Sequence, residues 1–395
     1  MSGQEDVFLV SGARTAIGGF GGSLKDICPI DLGATAIAAA IERAGLAPAE
    51  VDQSVMGQVL QTEPRDPYLA RVAALQAGVG QQASALTVNR LCGSGLQAIV
   101  SAAQAIRLGE SRVAVAGGAE SMSRAPHLLQ DMRWGRKMGD AQAIDMLTGA
   151  LNDPFGAGHM GVTAENIAER QGIDRAAQDA FAAESHRRAA VAAAEGRFEA
   201  QIVPVEIKSR KGPILFAQDE HIRPETSVDG LRALRPVFKA EGSVTAGNAS
   251  GMNDAAAAVI LMSGSELARR GARPMARILS WAVAGVAPEV MGLGPVEAAP
   301  LALSRAGLAA GDMDVIESNE AFAAQACAVI SLLNLDPARV NPNGGAIALG
   351  HPLGASGAIV AIKAMYELQR TGGRYALITL CIGGGQGIAM VIERI

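Results

Sequence analysis

An internal repeat constrains this chain more than any other feature. Arg43-Ala44-Gly45-Leu46-Ala47 reappears as Arg305-Ala306-Gly307-Leu308-Ala309, a shift of 262 residues (305 − 43). In the same register Asp52 meets Asp314, Ser94-Gly95 meets Ser356-Gly357 and Ala102 meets Ala364. Arg112 and Ala114 meet Arg374 and Ala376. One register holding from residue 43 to residue 114 reads as two copies of one α/β unit, even in an Ala- and Gly-rich chain.

Each copy repeats one local pattern. An amphipathic, Ala-rich helix (about 31–44, and 296–306) ends at Gly-Leu and leads through an acidic turn to an apolar strand. A Gly-rich turn opens a second helix (about 94–108, and 356–370). That helix stops near Gly109 or Gly372 and feeds a buried strand at 113–116 or 375–380. Such alternation predicts an α/β protein with mixed sheets covered by helices. Residues 120–250 have no counterpart in the second half; they carry most of the His residues, the basic clusters 133–137 and 208–211, and scattered Pro. The expected division is a first half at 1–120 (completed by about 250–270), a loop or lid domain at 121–249, and a second half at 271–395. A functional lid and a solvated decoration both fit the insertion.

Composition narrows the function. With 49% apolar and 18% charged residues the chain has too much surface to bury for a disordered polypeptide. A net charge of −5 argues against nucleic-acid binding by broad phosphate attraction, though a local basic patch could hold one small polyanion. No apolar run approaches a membrane span, and the acidic start Met1-Ser2-Gly3-Gln4-Glu5-Asp6 resembles neither a signal nor a transit peptide. The expected location is the cytoplasm. Cys28, Cys92, Cys327 and Cys381 are widely spaced, so neither a disulfide framework nor a metal site is expected.

Cys92 precedes a Gly-Ser-Gly turn and a helix. A thiol there feels the positive end of the helix dipole, which favours thiolate, and nearby backbone N–H groups can cradle an oxyanion. A small buried core thiol fits the same context. Cys381 follows a buried strand and precedes Ile382-Gly383-Gly384-Gly385, where backbone comes close to a ligand. Cys327 and Cys28 read as structural. His351, in Gly350-His351-Pro352, has Asn89 as its repeat partner, three residues before Cys92. Two equivalent helix starts converging on one pocket would bring His to Cys, as nucleophile activation requires. Asn319 stands where a strand turns into a helix and offers an amide to orient a water or carbonyl, or else a helix cap.

With these segments in view, the whole chain resembles the thiolases. The likeness runs through Ser11–Gly18, the Cys92 segment, Gly117-Gly118-Ala119-Glu120-Ser121-Met122-Ser123 and His159-Met160-Gly161. It continues through Thr245-Ala246-Gly247-Asn248-Ala249-Ser250-Gly251, Asn319-Glu320-Ala321-Phe322, Gly350-His351-Pro352 and Cys381-Ile382-Gly383. It is strongest to the short-chain bacterial β-ketothiolases associated with polyhydroxyalkanoate precursor supply. The resemblance implies a duplicated, five-layered αβαβα fold with a loop-domain insertion, assembled as a dimer or tetramer. It implies that Cys92 is the acylated nucleophile, that His351 activates it and hydrogen-bonds the thioester oxygen, and that Cys381 moves protons. Asn319 would hold a water that forms one oxyanion hole with His351; the N–H groups of Cys92 and Gly383 would form the other. Coenzyme A and acyl-CoA are then substrates, with no permanently bound cofactor and no metal. Implied coenzyme A contacts are His159, Met160, Arg223, Phe238, Ala246, Ser250, Met291 and Phe322.

The chemistry agrees: joining two acyl units needs an enolate stabilised at one oxygen and an acyl group held at another. Competing expectations are a ketoacyl synthase, which lacks a second cysteine before a glycine loop, a Cys–His–Asn hydrolase, a catalytically silent acyl-CoA binder, and a degradative 3-ketoacyl-CoA thiolase of broader chain length. Cys92, His351 and Cys381 together weigh against the first three.

Overall fold

The computed structural model describes residues 5–208, 210 and 212–395; Lys211 of the second basic cluster and Met1–Gln4 lie outside them. The N-terminal half begins with β1 (Val7–Thr15), α1 (Pro29–Arg43), β2 (Gln53–Gly57), β3 (Ser84–Val88), α2 (Ser94–Arg107) and β4 (Val113–Ser121). The insertion contributes α3 (Met160–Gln171) and α4 (Arg175–Ala194), and β5 (Asn253–Ser263) then returns to the sheet. The C-terminal half comprises β6 (Ala276–Gly285), α5 (Gly294–Ala306), β7 (Val315–Ser318), α6 (Ala323–Leu332), α7 (Leu353–Thr371), β8 (Tyr375–Ile382) and β9 (Gln386–Arg394).

Strand order makes the duplication visible. The path runs β7-β8-β9-β6-β1-β5-β4-β2-β3. Outward from the centre, each half presents its first strand, its last, the one before that, and its second: β1-β5-β4-β2 mirrors β6-β9-β8-β7. The halves meet where β1 and β6 pair antiparallel at Phe8–Arg277 and Leu9–Ala276. β3 adds a parallel edge to the first half. In the second half its place is taken by an isolated bridge between Ile316 and Val340.

Side-chain alternation builds the layers. On β5, Ala255, Ala257, Val259 and Leu261 pack toward α2 and α7, whereas Ala256, Ala258, Ile260 and Met262 pack toward α1. On the other half of the strand path Ile378, Ile388 and Met390 face the same central helices, and Leu377, Ala389 and Val391 face α5. The result is α1, sheet, α2 with α7, sheet, α5, which is the five-layered arrangement expected. The central helices touch backbone to backbone. A Cβ on Gly95 would lie 2.7 Å from the Ala358 nitrogen, and one on its repeat partner Gly357 would strike the Leu96 backbone. This crossing sets the N-termini of α2 and α7 side by side.

Several boundaries differ from those read in the sequence. The strand at 113–116 continues to Ser121, because Gly117 and Gly118 are held between β2 and β5, and Ala119 pairs on along β5, despite low strand propensity. α7 starts at Leu353, so Ser356 lies in its first turn. Cys381 lies within β8, opposite Gly387, rather than after it.

Candidate active site

Where the starts of α2 and α7 converge, a cavity of about 350 Å³ opens between them, the β8–β9 turn and the insertion. It gathers Cys92, His351, Cys381 and Gly383, together with His159, Met160, Phe238, Ala246, Ser250, Met291 and Phe322. Asn319 is buried just behind His351, against a separate small cavity. Arg223 does not line the large cavity; its side chain is exposed, and its backbone N–H donates to His186 Nδ1 at 3.2 Å. It stands on the surface beyond the enclosed part of the site.

The turn before α2 presents Cys92. Leu91 adopts φ +45°, an uncommon left-handed conformation for a branched residue. Its N–H donates to Asn89 Oδ1 (2.9 Å), and its carbonyl accepts from Ser94 Oγ (2.7 Å). The N–H groups of Gly383 and of Cys92 itself face the sulfur and favour its thiolate, but burial dominates and pushes the thiol up to about 11. This reverses the expectation from the helix dipole, which contributes about 0.3–1 kcal/mol. Moving a thiol from 9.0 to about 11 corresponds to about 3 kcal/mol, so desolvation wins. Cys92 is therefore a neutral thiol at rest and needs a base beside it.

His351 is suited to that task. Burial pushes its imidazolium down to about 4, so the ring is neutral near pH 7. Its backbone N–H donates to Asn253 Oδ1 at 2.9 Å. Nδ1 lies 2.6 Å from Ser356 Oγ, and that hydroxyl donates to the Pro352 carbonyl at 2.8 Å. With the serine proton engaged, Nδ1 carries hydrogen and donates, leaving the Nε2 lone pair available. Asn319 Nδ2 approaches Nε2 at 3.4 Å, and the Asn319 backbone N–H is tied to Thr379 O at 3.0 Å. Asn319 does not cap α6, whose N-cap is Phe322. Glu120 accepts N–H bonds from Val59, Leu60 and Gly354, fastening the first turn of α7 to the end of β2.

Cys381 is fully buried, and its thiol is raised well above the ordinary range, first by desolvation and then by the charge Cys92 would carry. The two thiols are electrostatic neighbours. Gly384 (φ +80°) and Gly385 (φ +87°) give the β8–β9 turn a left-handed backbone, which aims the Gly383 N–H at Cys92. On the insertion side, His159 caps α3 by accepting from Gly161 N–H (3.0 Å). It stacks on Phe238 at 4.7 Å, and Phe238 meets Phe322 edge-on at 6.2 Å.

Sequence reading missed Ser356 as the group holding His351, although its repeat equivalence to Ser94 and its place in the turn after His351 were visible. It also missed Leu91, Met122, Leu151 and Leu353, which line the cavity near Cys92. Their apolar character alone carries no signal that distinguishes them from core.

Comparison with known proteins accords with this geometry. The family models for the thiolase N-terminal domain and the thiolase C-terminal domain match residues 7–265 and 272–394. The chain belongs to the thiolase family. It is 61% identical over 391 residues to the beta-ketothiolase BktB of Cupriavidus necator, covering 99% of each chain. It is 51% identical to an acetyl-CoA acetyltransferase of Shinella zoogloeoides, covering 98% of each. A crystal structure of human mitochondrial 3-ketoacyl-CoA thiolase superposes with a TM-score of 0.97 at 45% identity, covering 99% of this chain and 100% of that one.

Proposed function

We propose that this chain is a β-ketothiolase, an acyltransferase that reversibly condenses acetyl-CoA with a short acyl-CoA through an acyl group on Cys92. The observation that carries the reading is the convergence of two thiols and a neutral, serine-anchored imidazole in one largely apolar cavity. In the first half-reaction the Cys92 proton passes to His351 Nε2 as sulfur attacks the thioester carbonyl. The Cys92 and Gly383 N–H groups receive the oxyanion, and the departing coenzyme A thiolate takes the Cys381 proton. Cys381, now a thiolate, removes the α-proton of acetyl-CoA. The enolate oxygen is held by protonated His351 and a water on Asn319, and the enolate carbon attacks the acyl-Cys92 carbonyl. Release of the ketoacyl product leaves the Cys92 thiolate, which recovers its proton from His351. Both thiols and the imidazole return to their starting states.

Within this reading residues 121–249 act as the lid along which coenzyme A lies, with the aromatic series His159, Phe238 and Phe322 against its pantetheine arm. Met160 and Met291 narrow the acyl end, which favours short chains while leaving adaptable side chains there. A broader 3-ketoacyl-CoA thiolase is the second reading, favoured by the likeness to the human mitochondrial enzyme; thiolysis kinetics across chain lengths separate the two. The proposed assembly is a homo-oligomer, a dimer or tetramer. Among the described residues β3 is paired only with β2, Leu86 on it is 47% exposed, and Trp134 and Met138 on the insertion are about nine-tenths exposed. The proposed site of action is the cytoplasm; no described helix is long and apolar enough to cross a membrane.

Two variants test the thiol roles. Cys92→Ser should abolish acetyl incorporation from acetyl-CoA. Cys381→Ser should still incorporate acetyl slowly on Cys92 but lose exchange of the acetyl-CoA methyl protons with deuterium. Wild-type exchange in Cys381→Ser would refute the two-thiol mechanism.

A further inference from the structure

Behind His351 and Asn319, on the side away from the large cavity, lies a buried ion pair that the mechanism does not use. Lys363 Nζ donates to Glu317 Oε2 at 2.6 Å and to the Gly344 carbonyl at 2.6 Å, and neither side chain is more than 2% exposed. Lys363 lies two turns after Ser356 on the same face of α7. Glu317 lies two residues before Asn319 on β7. The pair therefore bridges the same gap between α7 and the end of β7 that the Asn319–His351 contact bridges. Asn341 fixes the strand end between them: its Oδ1 accepts the Ser318 N–H (2.9 Å), and its Nδ2 donates to the Ser318 carbonyl (2.8 Å).

Between these supports is a cavity of about 20 Å³, lined among others by Glu317, Ser318, Asn319, Ser356 and Lys363. It has room for one water molecule. Two buried oxygens of its lining residues, Glu317 Oε1 and Ser318 Oγ, have no hydrogen-bond partner. Orphaned buried acceptors are costly, and a water between them would satisfy both. The cavity also touches the two side chains that hold the His351 ring, Ser356 at Nδ1 and Asn319 at Nε2.

We infer that Lys363, Glu317 and one ordered water in this cavity form a positioning unit that sets the separation of His351 and Asn319. The inference rests on the proposed role of those two residues in binding the enolate oxygen. Apolar residues of similar size would fill the gap equally well and often fold as stably. They would not give directional bonds to β7, to the 341–345 loop and to the cavity at once.

The test is exchange of acetyl-CoA methyl protons in deuterium oxide, with kcat and KM for acetoacetyl-CoA thiolysis and thermal unfolding as companions. Lys363→Met with Glu317→Leu replaces the pair by apolar volume. A loss of placement of this kind should slow exchange and kcat roughly 10- to 100-fold while KM stays within about twofold. Lys363→Met with Glu317→Gln returns a polar group to the cavity and should recover part of the loss, remaining several-fold below wild type. A folded Met/Leu variant with wild-type exchange overturns the inference. If that variant does not fold, a wild-type rate in the Met/Gln variant overturns it instead. Asn319→Ala separates the two levels. Normal exchange in Asn319→Ala defeats the proposed role of Asn319; slow exchange there beside a wild-type Met/Leu variant defeats only the positioning unit.

Discussion

Replacing Gly95 by alanine tests how closely the two central helices must approach for the chemistry to run. The added Cβ would lie 2.7 Å from the Ala358 nitrogen and 2.9 Å from the Gly354 carbonyl oxygen, where ordinary contact begins at 3.4 Å. Both obstacles are backbone, so no side chain can turn aside. The starts of α2 and α7 have to part by about 0.7 Å or more, and Cys92 moves with one while His351 moves with the other. A displacement near 1 Å in a reacting pair costs about 100-fold, so kcat should fall roughly 10- to 100-fold. Overpacking of this kind costs about 1–3 kcal/mol, which should lower Tm by several degrees without abolishing folding. Gly311→Ala is the control, because nothing lies within 4 Å of its added methyl. The assay is acetoacetyl-CoA thiolysis, followed by loss of enolate absorbance, beside thermal unfolding. A folded Gly95→Ala enzyme with wild-type kcat would refute the argument that this crossing sets the Cys92–His351 geometry.

Four further outcomes follow from the site. Ser356→Ala removes the acceptor that fixes the His351 tautomer, so kcat should fall roughly tenfold or more with KM little changed; kinetics on the folded variant check this. Burial lowers the His351 pKa from 6.5 to about 4, so its neutral, base-competent form persists as pH falls through 6 and 5. The acid limb of kcat/KM assigned to this group should therefore lie near pH 4, and a limb near 6.5 that vanishes in a His351 variant would contradict it. The same depressed pKa stabilises the fold above pH 6.5, and this contribution is lost as pH falls toward 4; acid unfolding midpoints of wild type and His351→Gln read it. Arg223 is exposed, where an ion pair is worth about 0.2–1 kcal/mol, so Arg223→Ala should raise KM for coenzyme A by at most about fivefold, less at high salt, with kcat unchanged.

The repeat at a shift of 262 residues carried the architecture, because a duplicated hydrophobic pattern dictates a duplicated set of layers whatever the loops between them do. It also indicated that His351 and Cys92 occupy equivalent helix starts, since Asn89 and His351 stand in one register. What the sequence could not decide was the electrostatic state of the site. Local context around Cys92 argued for a lowered pKa, yet the thiol is raised to about 11, because desolvation depends on residues brought from remote parts of the chain, such as Met122 and Leu353. Nor could it show that Asn319 turns toward His351 rather than capping α6, or that Ser356 holds the imidazole. Periodicity and propensity are properties of neighbours along the chain. Burial, tautomer and hydrogen-bond direction are properties of neighbours in space, and only the packing of α2 against α7 beneath the insertion determines those.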